Sequence, residues 1–166
     1  MFQILIFSLI IFKATIGLSQ GYDVFGIGIY DIKFDGSSSK NATDIRYERR
    51  FENSIIDIGP EKDNFFYLKP FAGIELTSDS AFYLISGIYL EDNIGELVTG
   101  NDNNWNFTPS FGVGYYDDGN GKKLGNKVEF RTTLEFSYQL VNRDRIGISI
   151  GHISNANIGN KNPGAE

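Results

Sequence analysis

The stretch from Asn126 to Val141, NKVEFRTTLEFSYQLV, constrains the fold more than any other part of the chain. Val128, Phe130, Leu134, Phe136, Tyr138 and Leu140 share one parity, with Thr132 the only polar member of that set. Lys127, Glu129, Arg131, Thr133, Glu135, Ser137 and Gln139 take the other. Successive side chains of a strand point to opposite faces, whereas a helix would scatter both sets around its axis, so this is a long two-faced strand. Residues 105–116 repeat the pattern, with Trp105, Phe107, Pro109, Phe111, Val113 and Tyr115 on one face, and 44–51 is a shorter version. Segments 22–34, 65–77, 80–91 and 144–154 complete a set of seven expected strands, separated by turn-rich stretches such as 35–43, 99–104 and 117–125. No helical period, linker or internal repeat stands out, which predicts one all-β domain.

An alternating strand fits two environments. In a soluble sandwich the apolar face meets a core; in a membrane barrel it meets lipid. Several strands here reach twelve or more residues, against about 9–11 for a tilted membrane strand and about 5–6 for an average globular one. The run of Lys, Glu, Arg and Glu on the polar face of 126–141 suits cross-strand charge pairs inside a narrow barrel. The 14 Phe, 9 Tyr and 19 Gly are in keeping with strands. The reading is therefore an antiparallel, up-and-down, eight-stranded outer-membrane β-barrel. Single-chain bacterial barrels close with an even number of strands. Seven strands thus predict that the eighth is missing or truncated and would begin about where the chain ends.

The N-terminus is a separate piece. Residues 1–12, MFQILIFSLIIF, are apolar but too short for an ordinary spanning helix, and Lys13, Gly17 and Ser19 follow. This predicts a signal peptide over 1–19 and a mature barrel over 20–166, exported to the outer membrane of a Gram-negative bacterium. The chain has no cysteine, which excludes disulfides, thiolate metal sites, a cysteine nucleophile and a lipidated N-terminal cysteine. A formal net charge of −6 argues against nucleic acid as partner. Neither GNDNN (100–104) nor DDGNG (117–121) has the spacing of a calcium loop, and GKK (121–123) lacks that of a phosphate loop. Asn41-Ala42-Thr43 matches a glycosylation sequon without use in such a protein. With one histidine and no cysteine, no catalytic metal and no cofactor are expected.

The chemistry concentrates at the C-terminal end. In 144–154, DRIGISIGHIS, the residues Ile146, Ile148, Ile150, His152 and Ser154 share a face, opposite Arg145, Gly147, Ser149 and Gly151. In a barrel the histidine and serine therefore end a lipid-facing stripe, where unpartnered polar groups cost several kcal/mol. Same-face neighbours lie about 7 Å apart at Cα, a gap an imidazole can span. A serine hydroxyl needs a base to become a nucleophile, and the base works best when a third group fixes its tautomer. Glu166, returning beside the strand after a turn, is a candidate for that third group. On these residues alone, a strand-end His and Ser bonded to loop backbone is by far the commoner meaning of such a pair.

The surrounding residues add a resemblance. HISNANIGNKNPGAE (152–166) resembles the signature of the lipid A 3-O-deacylase (PagL) family, His-x-Ser-Asn-Ala followed by Asn-Pro-Gly-x-Glu, with His152, Ser154, Asn155, Ala156, Asn162, Pro163, Gly164 and Glu166 at the motif positions. Looser likeness runs through 69–89, 108–116 and 129–140. The resemblance implies an eight-stranded outer-membrane barrel with a Ser-His-Glu triad on its outer wall. Such an esterase removes the 3-O-linked 3-hydroxyacyl chain of lipid A without a cofactor. By the same likeness Ser154 is the nucleophile, His152 the general base, Glu166 its orienter and Asn162 the oxyanion-hole residue. The implied partners are lipopolysaccharide and outer-membrane lipid; a homodimer is left open. The competing readings are a non-enzymatic small barrel serving as anchor or adhesin, and a lipid-binding periplasmic β-protein. With the mature N-terminus in the periplasm, odd-numbered strands run outward and bring His152 and Ser154 near the outer leaflet. Against this, the outer turn TSDS (77–80) is short while 52–64 and 91–104 are long, the reverse of the usual rule.

Overall fold

The computed structural model describes residues 20–32, 42–57, 67–95, 100–101, 103–141 and 144–166; the expected leader and the sequon's Asn41 lie outside the described residues. The strands are β1 (Gly21–Tyr30), β2 (Ala42–Phe51), β3 (Ile56–Asp57), β4 (Tyr67–Thr77), β5 (Phe82–Tyr89), β6 (Asp92–Asn93), β7 (Trp105–Asp117), β8 (Val128–Gln139) and β9 (Arg145–Ser154). The long strands form one antiparallel sheet in the order β1-β2-β4-β5-β7-β8-β9, each hydrogen-bonded to its sequence neighbour among them. The two-residue strands extend it at one end, β3 on β4 and β6 on β7. This is the expected up-and-down meander, curled into a barrel wall. Each long strand overlaps one of the seven expected segments, as a two-residue period requires, though β1 and β5 end short of them; residues 33–34 and 65–66 of those segments lie outside the described residues.

The two faces are inverted relative to a soluble protein. Ile27 on β1 is 82% exposed and Ile148 on β9 is 78% exposed, and Phe25, Ile45, Leu84, Phe111, Leu134 and Ile150 also point outward. Facing inward are Glu48, Arg50, Glu75, Glu129 and Arg131, with Glu48 only 1% exposed. Apolar outside and charged inside is the distribution expected when the surrounding medium is hydrocarbon and the strands satisfy one another's backbone groups.

Buried charge is costly unless matched, and four of these five side chains are ion-paired. The Arg131 guanidinium donates to Glu75 Oε2 at 2.9 Å and also to Glu48. Arg50 makes two bonds to Glu135, at 3.2 and 2.7 Å, and two to Glu48 Oε2, at 3.3 and 3.2 Å. These contacts tie β8 to β2 and β4, which are not its neighbours in the sheet. The expected cross-strand charge pairs inside the barrel thus run across the lumen, where curling brings opposite walls within reach of an arginine side chain. Lys127 departs from the expected inward face: it precedes β8, is exposed, and bonds Asp117 at 2.8 Å.

Apolar side chains are buried mainly at the end of the barrel where β9 finishes. Tyr30, Ala42, Ala81, Tyr83, Tyr116, Leu124, Ile153 and Ala165 belong to this cluster. Tyr30 and Tyr116 share a hydroxyl–hydroxyl bond of 3.2 Å, and the Tyr116 hydroxyl donates to the Lys122 carbonyl at 2.8 Å. The cluster therefore plugs the barrel and supports the 118–127 loop above it. At the opposite end Glu91 accepts two bonds from Arg145, at 2.7 and 3.3 Å, and one from Tyr22. Between β1 and β9 runs a groove of about 920 Å³ opening into the lumen, lined in part by Gly26, Ile27, Arg46, Ser149 and Gly151. Its two rims are linked by Glu91 at one end and, at the other, by the Glu166 carbonyl, which accepts from the Asp31 and Ile32 N–H groups at 2.5 and 3.2 Å.

Candidate active site

Strand β9 presents His152 and Ser154 on its outward parity, as the alternation requires, while Ile153 between them is buried. Beyond Ser154 the chain turns through Ala156 and Asn157, both at positive φ (51° and 64°), and Ile158 N–H closes the turn on the Asn155 carbonyl at 3.0 Å. It then returns beside β9. Ile153 and Ala165 exchange both backbone bonds, at 2.8 and 2.9 Å. In an antiparallel pair that register sets Glu166 opposite His152 and Gly164 opposite Ser154.

The consequence is a direct side-chain pair. His152 Nδ1 lies 3.0 Å from each carboxylate oxygen of Glu166. With the proton on Nδ1, the ring donates to the carboxylate and Nε2 is left as the basic nitrogen. Both side chains are partly exposed, 53% for His152 and 34% for Glu166. Gly164 explains how the return strand fits. Its φ is +61°, and a Cβ there would sit 2.9 Å from His152 Cε1. Any side chain at 164 would push the imidazole away.

Asn162 lies on the same return. Its Oδ1 accepts the Asn155 N–H at 3.1 Å, which fixes the amide so that Nδ2 is the end left free to donate elsewhere. Asn155 is fully buried, and its Nδ2 donates to the carbonyls of Leu124 and Lys161 at 2.8 and 2.6 Å. The loop between β7 and β8 is held in turn by Lys122 on Asp31 and by Lys127 on Asp117 and Asp118. The bond to Asp117 holds the Lys127 ammonium above its ordinary pKa.

All four residues singled out from the sequence therefore lie at one end of the barrel. The structure joins His152 to Glu166 and places Ser154 two residues along the same face. Among the described residues no hydrogen bond joins the imidazole to the Ser154 hydroxyl, and Asn162 touches the group through Asn155. Sequence reasoning gave no role to Asn155 or Gly164. Both stood in the quoted motif, but the partner of the first lies in a distant loop and the second acts by lacking a side chain.

On the neighbouring strand, Thr132 is the cross-strand partner of His152, and Phe130 that of Ser154. Leu134, opposite Ile150, continues the outward surface away from the rim. The site thus holds a hydroxyl and a carboxylate-bound imidazole on one outward face, at the head of an apolar surface.

The model of the family described as Lipid A 3-O-deacylase (PagL) matches residues 93–166, which bears out the resemblance drawn from the C-terminal motif. No curated protein and no solved structure matched. The family match supports a lipid A deacylase in general terms, and the barrel with its apolar exterior fits an outer-membrane enzyme.

Proposed function

We propose that this chain, matched to the lipid A 3-O-deacylase family from residue 93 onward, is an outer-membrane esterase that hydrolyses the 3-O-linked 3-hydroxyacyl chain of lipid A. The observation that carries the reading is the His152–Glu166 pair on the outward face, one residue pair from Ser154. A carboxylate-bound imidazole is a base with a defined tautomer, and a hydroxyl on the same face is what such a base activates.

In the proposed reaction the ester lies against the outer wall with its acyl chain along Leu134 and Ile150. Catalysis requires His152 Nε2 to reach the Ser154 hydroxyl; catalytic bonds of this kind commonly tighten only with substrate bound. Ser154 Oγ attacks the ester carbonyl while Nε2 takes its proton, and the resulting imidazolium is stabilised by the Glu166 carboxylate. The Asn162 Nδ2 group donates to the developing oxyanion. Collapse breaks the bond to the sugar oxygen, which takes the proton from His152. Water, deprotonated by the same imidazole, then hydrolyses the acyl-serine and releases a 3-hydroxy fatty acid. One ester and one water thus become one alcohol and one acid, with no cofactor in the scheme.

An enzyme with a lipid-facing site need not extract its substrate from the bilayer. The test is mass spectrometry of lipid A from Gram-negative cells expressing the chain, beside Ser154→Ala and His152→Ala. Loss of one 3-hydroxyacyl chain with wild type only is expected. Unchanged lipid A in the presence of folded wild-type protein would overturn the reading and favour a non-enzymatic barrel.

A further inference from the structure

We propose that Asn155 is a positioning residue for this reaction: its buried side chain clamps the Lys161 peptide so that the Asn162 amide is presented beside Ser154. The inference rests on the esterase reading for its kinetic consequence, but the clamp itself is a property of the fold.

Asn155 directly follows Ser154 and is inaccessible to solvent. Each of its polar groups has a partner. Both side-chain N–H bonds are directed at carbonyls, Leu124 O at 2.8 Å and Lys161 O at 2.6 Å. Its Oδ1 accepts from the Asn157 N–H at 3.0 Å. Its own N–H donates to Asn162 Oδ1 at 3.1 Å, and its carbonyl accepts from Ile158. One residue therefore joins three segments: the end of β9, the 156–162 return and the 118–127 loop.

Two further facts show that these segments would not hold this arrangement by packing alone. Ala156 and Asn157 both occupy the left-handed region, which asparagine tolerates but which costs alanine and persists there only when surrounding contacts enforce it. The segments also approach more closely than side chains permit. A Cβ on Gly125 would lie 2.3 Å from Lys161 O, and one on Gly159 would lie 2.7 Å from Gly125 O. The bond to Lys161 O is one peptide from Asn162, and the bond from Asn155 N–H ends on Asn162 itself. Release of the side chain therefore lets the strained turn relax and carries the Asn162 amide away from the serine. Asn155 touches no reacting atom in this scheme; it acts through Asn162.

Asn155→Asp is the informative variant, since it keeps size and Oδ1 but turns an oxygen toward two carbonyl oxygens. With purified protein in detergent micelles and lipid A as substrate, kcat is expected to fall about ten-fold or more with KM little changed, since small misplacements of catalytic groups have effects of this order. In a cycle with Asn162→Ala, the double variant should be no slower than Asn162→Ala alone, because contacts that act as one unit are non-additive. Losses that multiply, as independent structural damage would give, overturn the proposal, and so does an unchanged kcat. Heat-dependent gel migration checks that each barrel is folded, and Asn155→Ser serves as the milder substitute if Asn155→Asp does not fold. Trypsin supplies a readout that needs no substrate: cleavage after Lys161 should be about ten-fold faster in the variant, in line with a lost local-opening barrier. If wild type does not deacylate lipid A, the esterase reading fails while trypsin still decides the clamp, and equal cleavage rates overturn it.

Discussion

Replacing Glu166 by glutamine tests the central pair, because the change removes a charge and little else. In the proposed attack His152 becomes an imidazolium whose Nδ1 sits 3.0 Å from both carboxylate oxygens. Taking the charge centres as about 4 Å apart, their attraction is ~4 kcal/mol at an effective dielectric of 20 and ~1 kcal/mol in bulk water. With the two side chains 53% and 34% exposed, solvent screens the pair, and the lower part of that range applies. A loss of about 1–3 kcal/mol of transition-state stabilisation follows, or roughly 5- to 150-fold in kcat. KM should hardly move, because in the proposed scheme positive charge develops on the imidazole only as the reaction proceeds.

Release of 3-hydroxy fatty acid from purified lipid A, followed by mass spectrometry under single-turnover conditions, measures this loss, with Ser154→Ala as the blank. Glu166→Gln placed in a His152→Ala background should add no further loss. A kcat within about two-fold of wild type, less than even a fully screened attraction would cost, would show that Glu166 does not act on the imidazole. A loss carried wholly by KM would show that it binds substrate instead.

Gly164→Ala should impair turnover without unfolding the barrel, since the new methyl meets His152 Cε1 at 2.9 Å and φ is +61°. A fall in kcat of about ten-fold or more is expected, and full activity would refute the tight fit of the return strand over the ring. Glu48→Gln removes the anion facing Arg131 and Arg50 inside the lumen and should destabilise by about 3–5 kcal/mol, read by urea titration of the folded protein in lipid. A change below about 1 kcal/mol would mean the lumen charges are not matched as described. Ile148→Arg, at the middle of β9 and on its outward face, should cost about 2–4 kcal/mol in bilayers. Tolerance there would refute a lipid-facing wall.

The seven long strands were legible because alternation is a local property, visible wherever the two faces differ in polarity. β3 and β6 were not, since two residues cannot display a period. The face carrying His152 and Ser154 followed from Ile146, Ile148 and Ile150; the return of Glu166 was expected only as some turn after the strand, and the structure places that turn at Ala156 and Asn157. What the sequence could not disclose depends on curvature and on loop packing. Arg131 meets Glu48 only because β8 and β2 face each other across the lumen. Asn155 gains its partner in Leu124 only because the 118–127 loop folds over the tyrosine plug. Lys127 read as inward because parity extends past the end of a strand on paper, whereas the backbone leaves the sheet at Val128.

The same inversion of faces explains why the acid beside His152 has to come from a return segment and not from the wall. The inward carboxylates of Glu48, Glu75 and Glu135 are already matched to Arg46, Arg50 and Arg131, and withdrawing one would strand a buried cation. Nor can an inward residue reach an outward ring, because the strand backbone lies between the two faces. An outward acid on the neighbouring strand would sit where Thr132 is, opposite His152 and flanked by Phe130 and Leu134 on the same face, a costly place for a permanent charge. A short antiparallel return at the rim avoids all three problems. It sets Glu166 opposite His152 through the Ile153–Ala165 bridge and leaves its carboxylate partly exposed, while the carbonyl of the same residue binds the end of β1. On the esterase reading, the charged half of the site thus sits at the polar rim and the acyl-binding half on the apolar wall below it. A substrate with a polar sugar and an apolar chain meets the nucleophile at that boundary.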